Sequence, residues 1–307
     1  MNFAGLLNAS PRYRWRVPFG TAPIQVGRLL ANRAKYALSS RQRRPELGGY
    51  YDAIDRDGIV TIPDFLRPED FACVLREYEA VRSGESKHSR IRQYSTHGLD
   101  NWAAVMTPKD KAFQHTNRVI RNHPVIAGLT SYIIRRRIDY FPSTMSILTQ
   151  NMSEGASETT DGNTYLHADV HYHTVKAVLY LNDVTEGGAP FVFAYGSHRL
   201  TKERVGLEYE LATRISNPKP GQLMNGQPVV GQDLIDRFGL DVRPVYAPAN
   251  TLIIADHAGL HARGTFNPGR ERATLRISFR FADSLRYKFR AIFDRLRPPY
   301  AEFDPPA

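Results

Sequence analysis

The sequence predicts a mainly β core with flanking helices. Three observations carry this. Helical periodicity dominates the first half of the chain, and short strand patterns crowd the second half. One strand run, 175–182, is too apolar for a sheet with a wet face. Helices segregated from many short strands predict an antiparallel sandwich or barrel with the helices packed outside.

The elements follow in order. Helices are predicted at 23–40, 68–82, 109–121 and 124–136. Within the first, residues 24–38 form a basic amphipathic pattern with Val26, Leu29, Leu30 and Ala37 on its apolar side. The second begins around Pro68, Glu69 and Asp70, with proline suited to a first helical turn. Strands are predicted at 140–150, 164–170, 175–182, 190–195, 245–255 and 272–282. The run 249–256 follows Pro248 and reads as a buried strand, and His261 comes after it on a turn containing Gly259. The chain resumes at 273–281 as an alternating strand. Arg272, Arg276 and Ser278 share one parity along it. Residues 199–244 form an insert with a helix at 201–214 and a Gly/Pro loop at 217–221, placed to act as a lid. A second basic amphipathic stretch, 287–297, ends at Pro298 and Pro299.

Composition sets bounds on function. With 307 residues, 42% hydrophobic and 11% aromatic, the chain can bury the core of one large domain. No run of eighteen apolar residues predicts a membrane span. Cys73 is the only cysteine, so no intrachain disulfide can form, which fits a reducing compartment. The N-terminus lacks the continuous apolar core of a secretory signal, and the expected location is the cytoplasm. Charge is uneven. The first 45 residues carry nine Lys or Arg and no acid, so the net +10 belongs almost entirely to this arm. The arm suits an acidic carrier protein, an anionic surface or a targeting role; its bland alternative is a solvated extension packed on the domain. The predicted organisation is a basic extension at 1–46, a single domain at 47–285 with 199–244 as its lid, and an amphipathic helix and tail at 286–307.

Two stretches carry chemistry. The first reads Tyr165-Leu166-His167-Ala168-Asp169 and the second Asp256-His257-Ala258-Gly259-Leu260-His261. On an extended segment, residues i and i+2 point the same way, so His167 and Asp169 can aim two ligands at one point. A third ligand from a neighbouring strand, His261, completes two imidazoles and one carboxylate. That set holds a divalent iron and leaves positions open for reactants. Other histidines compete. His171 and His173 share parity with His167, and three imidazoles would suit zinc, although the interposed carboxylate favours a harder, oxygen-activating metal. His257 rivals His261 as third ligand, and otherwise reads with His171 and His173 as pocket wall. His198 reads as a loop residue flanking the site.

The chain resembles the phytanoyl-CoA dioxygenase family of Fe(II)/2-oxoglutarate oxygenases over residues 48–285. The opening stretch, Asp57-Gly58-Ile59-Val60-Thr61-Ile62-Pro63-Asp64-Phe65-Leu66, is similar to the family's first strand and turn. The stretch ending Tyr195-Gly196-Ser197-His198 is similar to the family's Pro-Gly-Ser-His, with Tyr195 in place of proline. Leu166 stands where the family has an aromatic residue before the first ligand. The resemblance implies a jelly roll, the double-stranded β-helix of cupin-like proteins. It implies His167, Asp169 and His261 as catalytic iron ligands. It implies Arg272, eleven residues past the last histidine, as the arginine holding the distal carboxylate of 2-oxoglutarate. An arginine suits that task because its planar fork pairs with a carboxylate bidentately and stays charged. Arg270 and Arg276 are rivals, and Arg276-Ile277-Ser278 resembles the Arg-x-Ser clamp of other members of the superfamily.

The implied cofactor is Fe(II), with 2-oxoglutarate and O2 as co-substrates. The implied reaction is hydroxylation of a small molecule with release of succinate and CO2. The retained Asp169 favours hydroxylation over halogenation. Thr149, Gln150, His171, His173, Lys176 and Phe191 are expected on the substrate pocket wall. That mixture suits a lipid-derived, amino-acid-like or natural-product substrate. Two other functions compete. An oxidative nucleic-acid demethylase draws on the basic arm and the arginine-rich strand, but the opening strand and Gly-Ser-His segment disfavour it and a nucleic-acid partner. A non-catalytic jelly-roll binding module is disfavoured by the intact His167, Asp169, His261 and Arg272.

Overall fold

A computed structural model describes residues 22–37, 43–96, 98–121, 123–135, 144–152, 163–168, 173–216, 223–224 and 227–279. Asp169, His171, Arg280 and the C-terminal stretch 286–307 lie outside them.

Among the described residues the helices are α1 (Ala22–Ala37), α2 (Gly48–Asp57), α3 (Pro68–Arg82), α4 (Gln114–Arg121), α5 (Pro124–Ile134), α6 (Lys202–Ser216) and α7 (Gln232–Phe238). The strands are β1 (Ile59–Ile62), β2 (Ile91–Thr96), β3 (Leu99–Met106), β4 (Thr144–Met152), β5 (Val175–Tyr180), β6 (Phe191–Tyr195), β7 (Leu223–Met224), β8 (Gln227–Pro228), β9 (Asp241–Val245), β10 (Leu252–Asp256), β11 (His261–Arg263) and β12 (Glu271–Phe279). None of these helices is long and apolar enough to cross a membrane.

Two sheets face each other. The large one has the order β1-β10-β5-β12-β4-β3-β2, and the small one β11-β6-β9. The pair Leu166–His167 extends the small sheet, because His167 bridges His261. In chain order, β4, 166–167, β5, β6, β9, β10, β11 and β12 therefore fall in the large, small, large, small, small, large, small and large sheet. That winding is the double-stranded β-helix. A two-stranded hairpin, β7-β8, stands apart.

Strand alternation divides the interior into layers. Ala273, Leu275, Ile277 and Phe279 of β12 join Leu252 and Ile254 of β10 and Ala177 and Leu179 of β5 in the main core beneath α2 to α5. Val178, Tyr180, Ile253 and Ala255 point the other way, against Phe191 and Phe193 of the small sheet. The small sheet's outer face, with Leu166, Ala194 and Ala262, packs on Leu207 and Leu211 of α6 and Leu234 of α7. By the same parity, His167, His261 and Arg263 face the space between the sheets, as do Gln150, Arg272, Thr274, Arg276 and Lys176.

Several sequence expectations change. The predicted strand 245–255 spans two elements: β9 ends at Val245 in the small sheet and β10 begins at Leu252 in the large one. The insert 199–244 is not all lid, because β9 pairs with β6 and completes the small sheet. His261 opens a strand instead of sitting on a turn. In α1 the buried face is Ala22, Gln25, Leu29 and Arg33, while Leu30 is 43% exposed and Ala37 is also exposed. Hydropathy rotated the predicted face because α1 packs on α6, where Arg204 and Glu208 are buried, and Arg33 is drawn inward beside them and His173.

Asn250 locks the turn between the two sheets. It has a left-handed backbone (φ 63) that asparagine tolerates. Its buried side chain accepts from Leu66 N at 3.0 Å and donates to Leu66 O at 2.7 Å. Asn250→Ala leaves both backbone groups of Leu66 buried without these partners, and the expected loss is about 2–3 kcal/mol. Thermal denaturation checks this; an unchanged melting temperature would remove the pair from the fold's supports.

Candidate metal and co-substrate site

His167 and His261 sit directly opposite each other on antiparallel segments. His167 N donates to His261 O at 3.0 Å, and His261 N donates to His167 O at 2.9 Å. Side chains of such a pair project to the same side. Here the ring centroids are 4.6 Å apart. Each ring also has a fixed tautomer. Nδ1 of His167 lies 2.8 Å from Tyr165 O, and Nδ1 of His261 lies 3.3 Å from Gly259 O. A carbonyl oxygen only accepts, so both Nδ1 atoms carry the proton. The neutral ring's lone pair is then on Nε2, the form in which imidazole ligates a metal. This donor chemistry fits the expected iron.

The turn preceding His261 is held from two directions. Ser197 Oγ accepts from Leu260 N at 2.8 Å. Gly259 lies so close to Phe193 that an added Cβ would be 2.4 Å from the ring. The Gly-Ser-His segment thus supports the second histidine through Ser197. His198 packs its ring on Gly58, where a Cβ would be 2.4 Å from Nδ1. Burial pushes the pKa of His198 down to about 4, so it is neutral at physiological pH. The role of Ser197 has no signature in the sequence, because it arises only when this segment packs against the turn at Gly259.

His257 stacks on His261 with ring centroids 4.0 Å apart, and Phe191 stacks on its outer side at 6.0 Å. Among the described residues there is no cluster of three or more His, Cys, Asp or Glu placed to hold a metal ion. The expected carboxylate, Asp169, lies outside those residues, as does His171.

The arginines separate cleanly. Arg270 is exposed on the turn before β12. Arg272 is 4% exposed; its Nη1 donates to Ala189 O and its Nη2 to Gln150 Oε1 at 2.6 Å. Both acceptors are neutral, and Nε is buried with no hydrogen-bond partner. Burial lowers its pKa to about 9, and the nearby Arg276 and Arg263 cations add to the effect, with Tyr180 opposing them. A buried guanidinium without a carboxylate is expensive and fits a site completed by an anionic ligand. Arg276 is half-buried and reaches Gln150 Oε1 at 3.4 Å and Thr274 Oγ1 at 3.3 Å. Ser278 sits on the same face as Arg272, six residues along the strand, or roughly 20 Å away. It lies opposite Lys176. Arg272 and Ser278 therefore cannot grip one carboxylate together.

The remaining wall residues divide. Lys176 faces the interior, and Phe191 lines it beside His261. Thr149 points to the helices, where it bonds Tyr78 at 2.9 Å. Gln150 is committed to Arg272 and, at 2.8 Å, to Asn101. His173 pairs with the buried Asp256 and with Arg33 of α1, and Tyr36 donates to its carbonyl at 2.8 Å. Arg33, part of the basic arm, is thus buried against the domain and is not displayed to a partner.

The class of protein follows from fold and sequence match together. The model of the phytanoyl-CoA dioxygenase (PhyH) family matches residues 54–230, more than half of the chain. The chain belongs to the phytanoyl-CoA dioxygenase family. Fe(II), 2-oxoglutarate and O2 are the cofactor and co-substrates of this family. The match ends before His261 and Arg272, so their roles rest on position and geometry. A comparison with curated proteins finds no significant match. Among solved structures, EctD from S. alaskensis with bound Fe is similar at 10% identity and a TM-score of 0.52, covering 80% of this chain and 82% of that one. The epimerase SnoN in complex with Fe3+, alpha ketoglutarate and nogalamycin RO is similar at 17% identity and a TM-score of 0.50, covering 84% and 92%. At these identities the likeness supports the jelly roll alone.

Asp256 yields a pH prediction. Burial opposes its charge, but His173, His198 and Arg33 outweigh that and hold its pKa at about 2, below the ordinary 3.8. A carboxyl with a depressed native pKa adds stability above its unfolded pKa and loses it as pH falls through the native one. About 2 kcal/mol of stability should therefore disappear between pH 4 and 2. Acid-unfolding curves of wild type and Asp256→Asn check this, since the variant should lack that segment of the pH dependence.

Proposed function

We propose that the protein is an Fe(II)/2-oxoglutarate-dependent hydroxylase of a small molecule. In this reading His167, Asp169 and His261 hold the iron, and Arg272 binds the distal carboxylate of 2-oxoglutarate. The observation that carries it is Arg272, a buried guanidinium with only neutral acceptors, eleven residues past His261 and facing the same interior. Bound iron with 2-oxoglutarate and O2 supplies the oxidising power, with succinate and CO2 as by-products.

The chain's own residues do the rest. Tyr165 O and Gly259 O keep the two imidazoles in the ligating tautomer. Arg272 orients the co-substrate along the interior. Phe191 and the other apolar side chains between the sheets exclude water from the reacting end. Lys176 and Arg276 give the interior a positive lining, suited to a substrate bearing an oxygen-rich or anionic group. Asp169 as the carboxylate ligand supports hydroxylation over halogenation. We assign the reaction to the domain 47–285, with α6 backing the outer face of the small sheet that carries the two histidines.

Anaerobic absorbance titration tests the reading directly. Iron and 2-oxoglutarate should bind together and produce a charge-transfer band; without one, a non-catalytic binding module becomes the better account. Arg272→Ala should weaken 2-oxoglutarate binding about a hundredfold and Arg276→Ala far less, as expected for loss of a desolvated charge pair. The reverse ranking would move the clamp to Arg276. Asp169→Ala should abolish substrate hydroxylation, measured as oxygen incorporation by mass spectrometry.

A further inference from the structure

The buried arginine is held by an amide relay whose direction is fixed at its far end. Asn101 Nδ2 lies 3.1 Å from Leu99 O and 3.3 Å from Tyr94 O. Both partners are carbonyls and only accept, so that atom is the amide nitrogen and Oδ1 must face Gln150. Gln150 Nε2 donates to Asn101 Oδ1 at 2.8 Å. Its Oε1 is thereby turned toward Arg272 Nη2 at 2.6 Å and Arg276 Nη2 at 3.4 Å. Strand register makes the relay possible, since Asn101 pairs with Gln150 and Gln150 with Arg272 across β3, β4 and β12. All three side chains are buried.

We propose that Gln150 and Asn101 are positioning residues that set both the orientation and the undiminished charge of Arg272 for the co-substrate. The inference rests on the reading of Arg272 as the carboxylate clamp. Two properties of Gln150 matter. It is a neutral acceptor, so it anchors Nη2 without supplying the counter-charge that the co-substrate must bring. It also has a donor end that would oppose two guanidinium groups if the amide turned over, and Asn101 prevents that turn. With one hydrogen of Nη1 tied to Ala189 O and one of Nη2 to Gln150, Nε–H and the second hydrogen on each Nη are left for the ligand. A glutamate at 150 would occupy Arg272 internally. A methionine would keep the volume and remove both ends of the relay. Asn101→Leu would leave Gln150 in place and remove only the device that fixes its direction.

The test measures 2-oxoglutarate affinity by calorimetry on Mn(II)-loaded protein, which binds without turning over. Melting temperature, and KM and kcat for uncoupled succinate formation on Fe(II) protein, are measured alongside. Gln150→Glu should raise Kd and KM for 2-oxoglutarate about tenfold or more, with a melting temperature no lower than wild type, because a new internal ion pair replaces the external one. Gln150→Met and Asn101→Leu should each raise Kd about threefold to tenfold, with the loss concentrated in KM and not in kcat. If Gln150→Glu binds 2-oxoglutarate like wild type while Arg272→Ala loses it, the relay has no positioning role and the clamp reading stands. If Arg272→Ala also binds like wild type, the clamp reading fails and the relay's role with it.

Discussion

The architecture depends on one strand keeping two incompatible environments apart. β12 presents Ala273, Leu275, Ile277 and Phe279 to the helix-covered core, and Arg272, Thr274, Arg276 and Ser278 to the space between the sheets. Each neighbour repeats the division: β5 buries Ala177 and Leu179 on one side and turns Lys176 and Val178 to the other. A slip of one residue would carry two guanidinium groups and two hydroxyls into the apolar core, at several kcal/mol for each charge. Register is therefore specified strongly, and the interior chemistry inherits that precision. Arg272 meets Gln150 because the apolar face of β12 has no other way to be buried.

The small sheet imposes the matching constraint from the other side. Its outer residues Leu166, Ala194 and Ala262 pack on α6 and α7, which forces His167, Phe193, His261 and Arg263 inward. The two histidines then meet as directly opposed residues. No loop has to place them, and a pair held by two backbone hydrogen bonds is a rigid base for ligands. Ser197 and the close approach of Phe193 to Gly259 finish the job by fixing the turn from which His261 emerges.

Much of this was legible in the sequence wherever local periodicity and punctuation agreed. Residues 68–82 form a helix as Pro68 and the following pattern predict, and the apolar run 175–182 contains a core strand. The alternation of 273–281 by itself puts Arg272, Arg276 and Ser278 on one face. What escaped detection has physical causes. β2 is an edge strand with nearly every residue exposed, so Arg92, Gln93, Ser95 and Thr96 carry no apolar signal. The break at Asn250 hides inside an apolar stretch, so β9 and β10 read as one strand. The buried face of α1 includes Arg33 and Gln25, which hydropathy assigns to solvent. The role of Asn101 could not be read at all, because it arises only when β3 is paired with β4 in register.

A buried arginine with only neutral acceptors keeps its charge without a counter-ion. A carboxylate at position 150 would stabilise the resting fold and abolish the reason for a dicarboxylate to bind. A glutamine satisfies Nη2 by hydrogen bonding yet leaves the electrostatic demand open, and burial, with Arg276 and Arg263 adding to it, sharpens that demand by lowering the Arg272 pKa to about 9. On the proposed reading of Arg272 as the carboxylate clamp, the energy withheld from the fold alone is released when the anion binds. This is the linkage by which a ligand that binds only the native state raises its stability. The same relation limits how the site can change. With Arg272 as the proposed clamp, residues around it can be exchanged for better-paired ones only by weakening the co-substrate's claim on it, so stability and affinity would trade against each other at this one guanidinium.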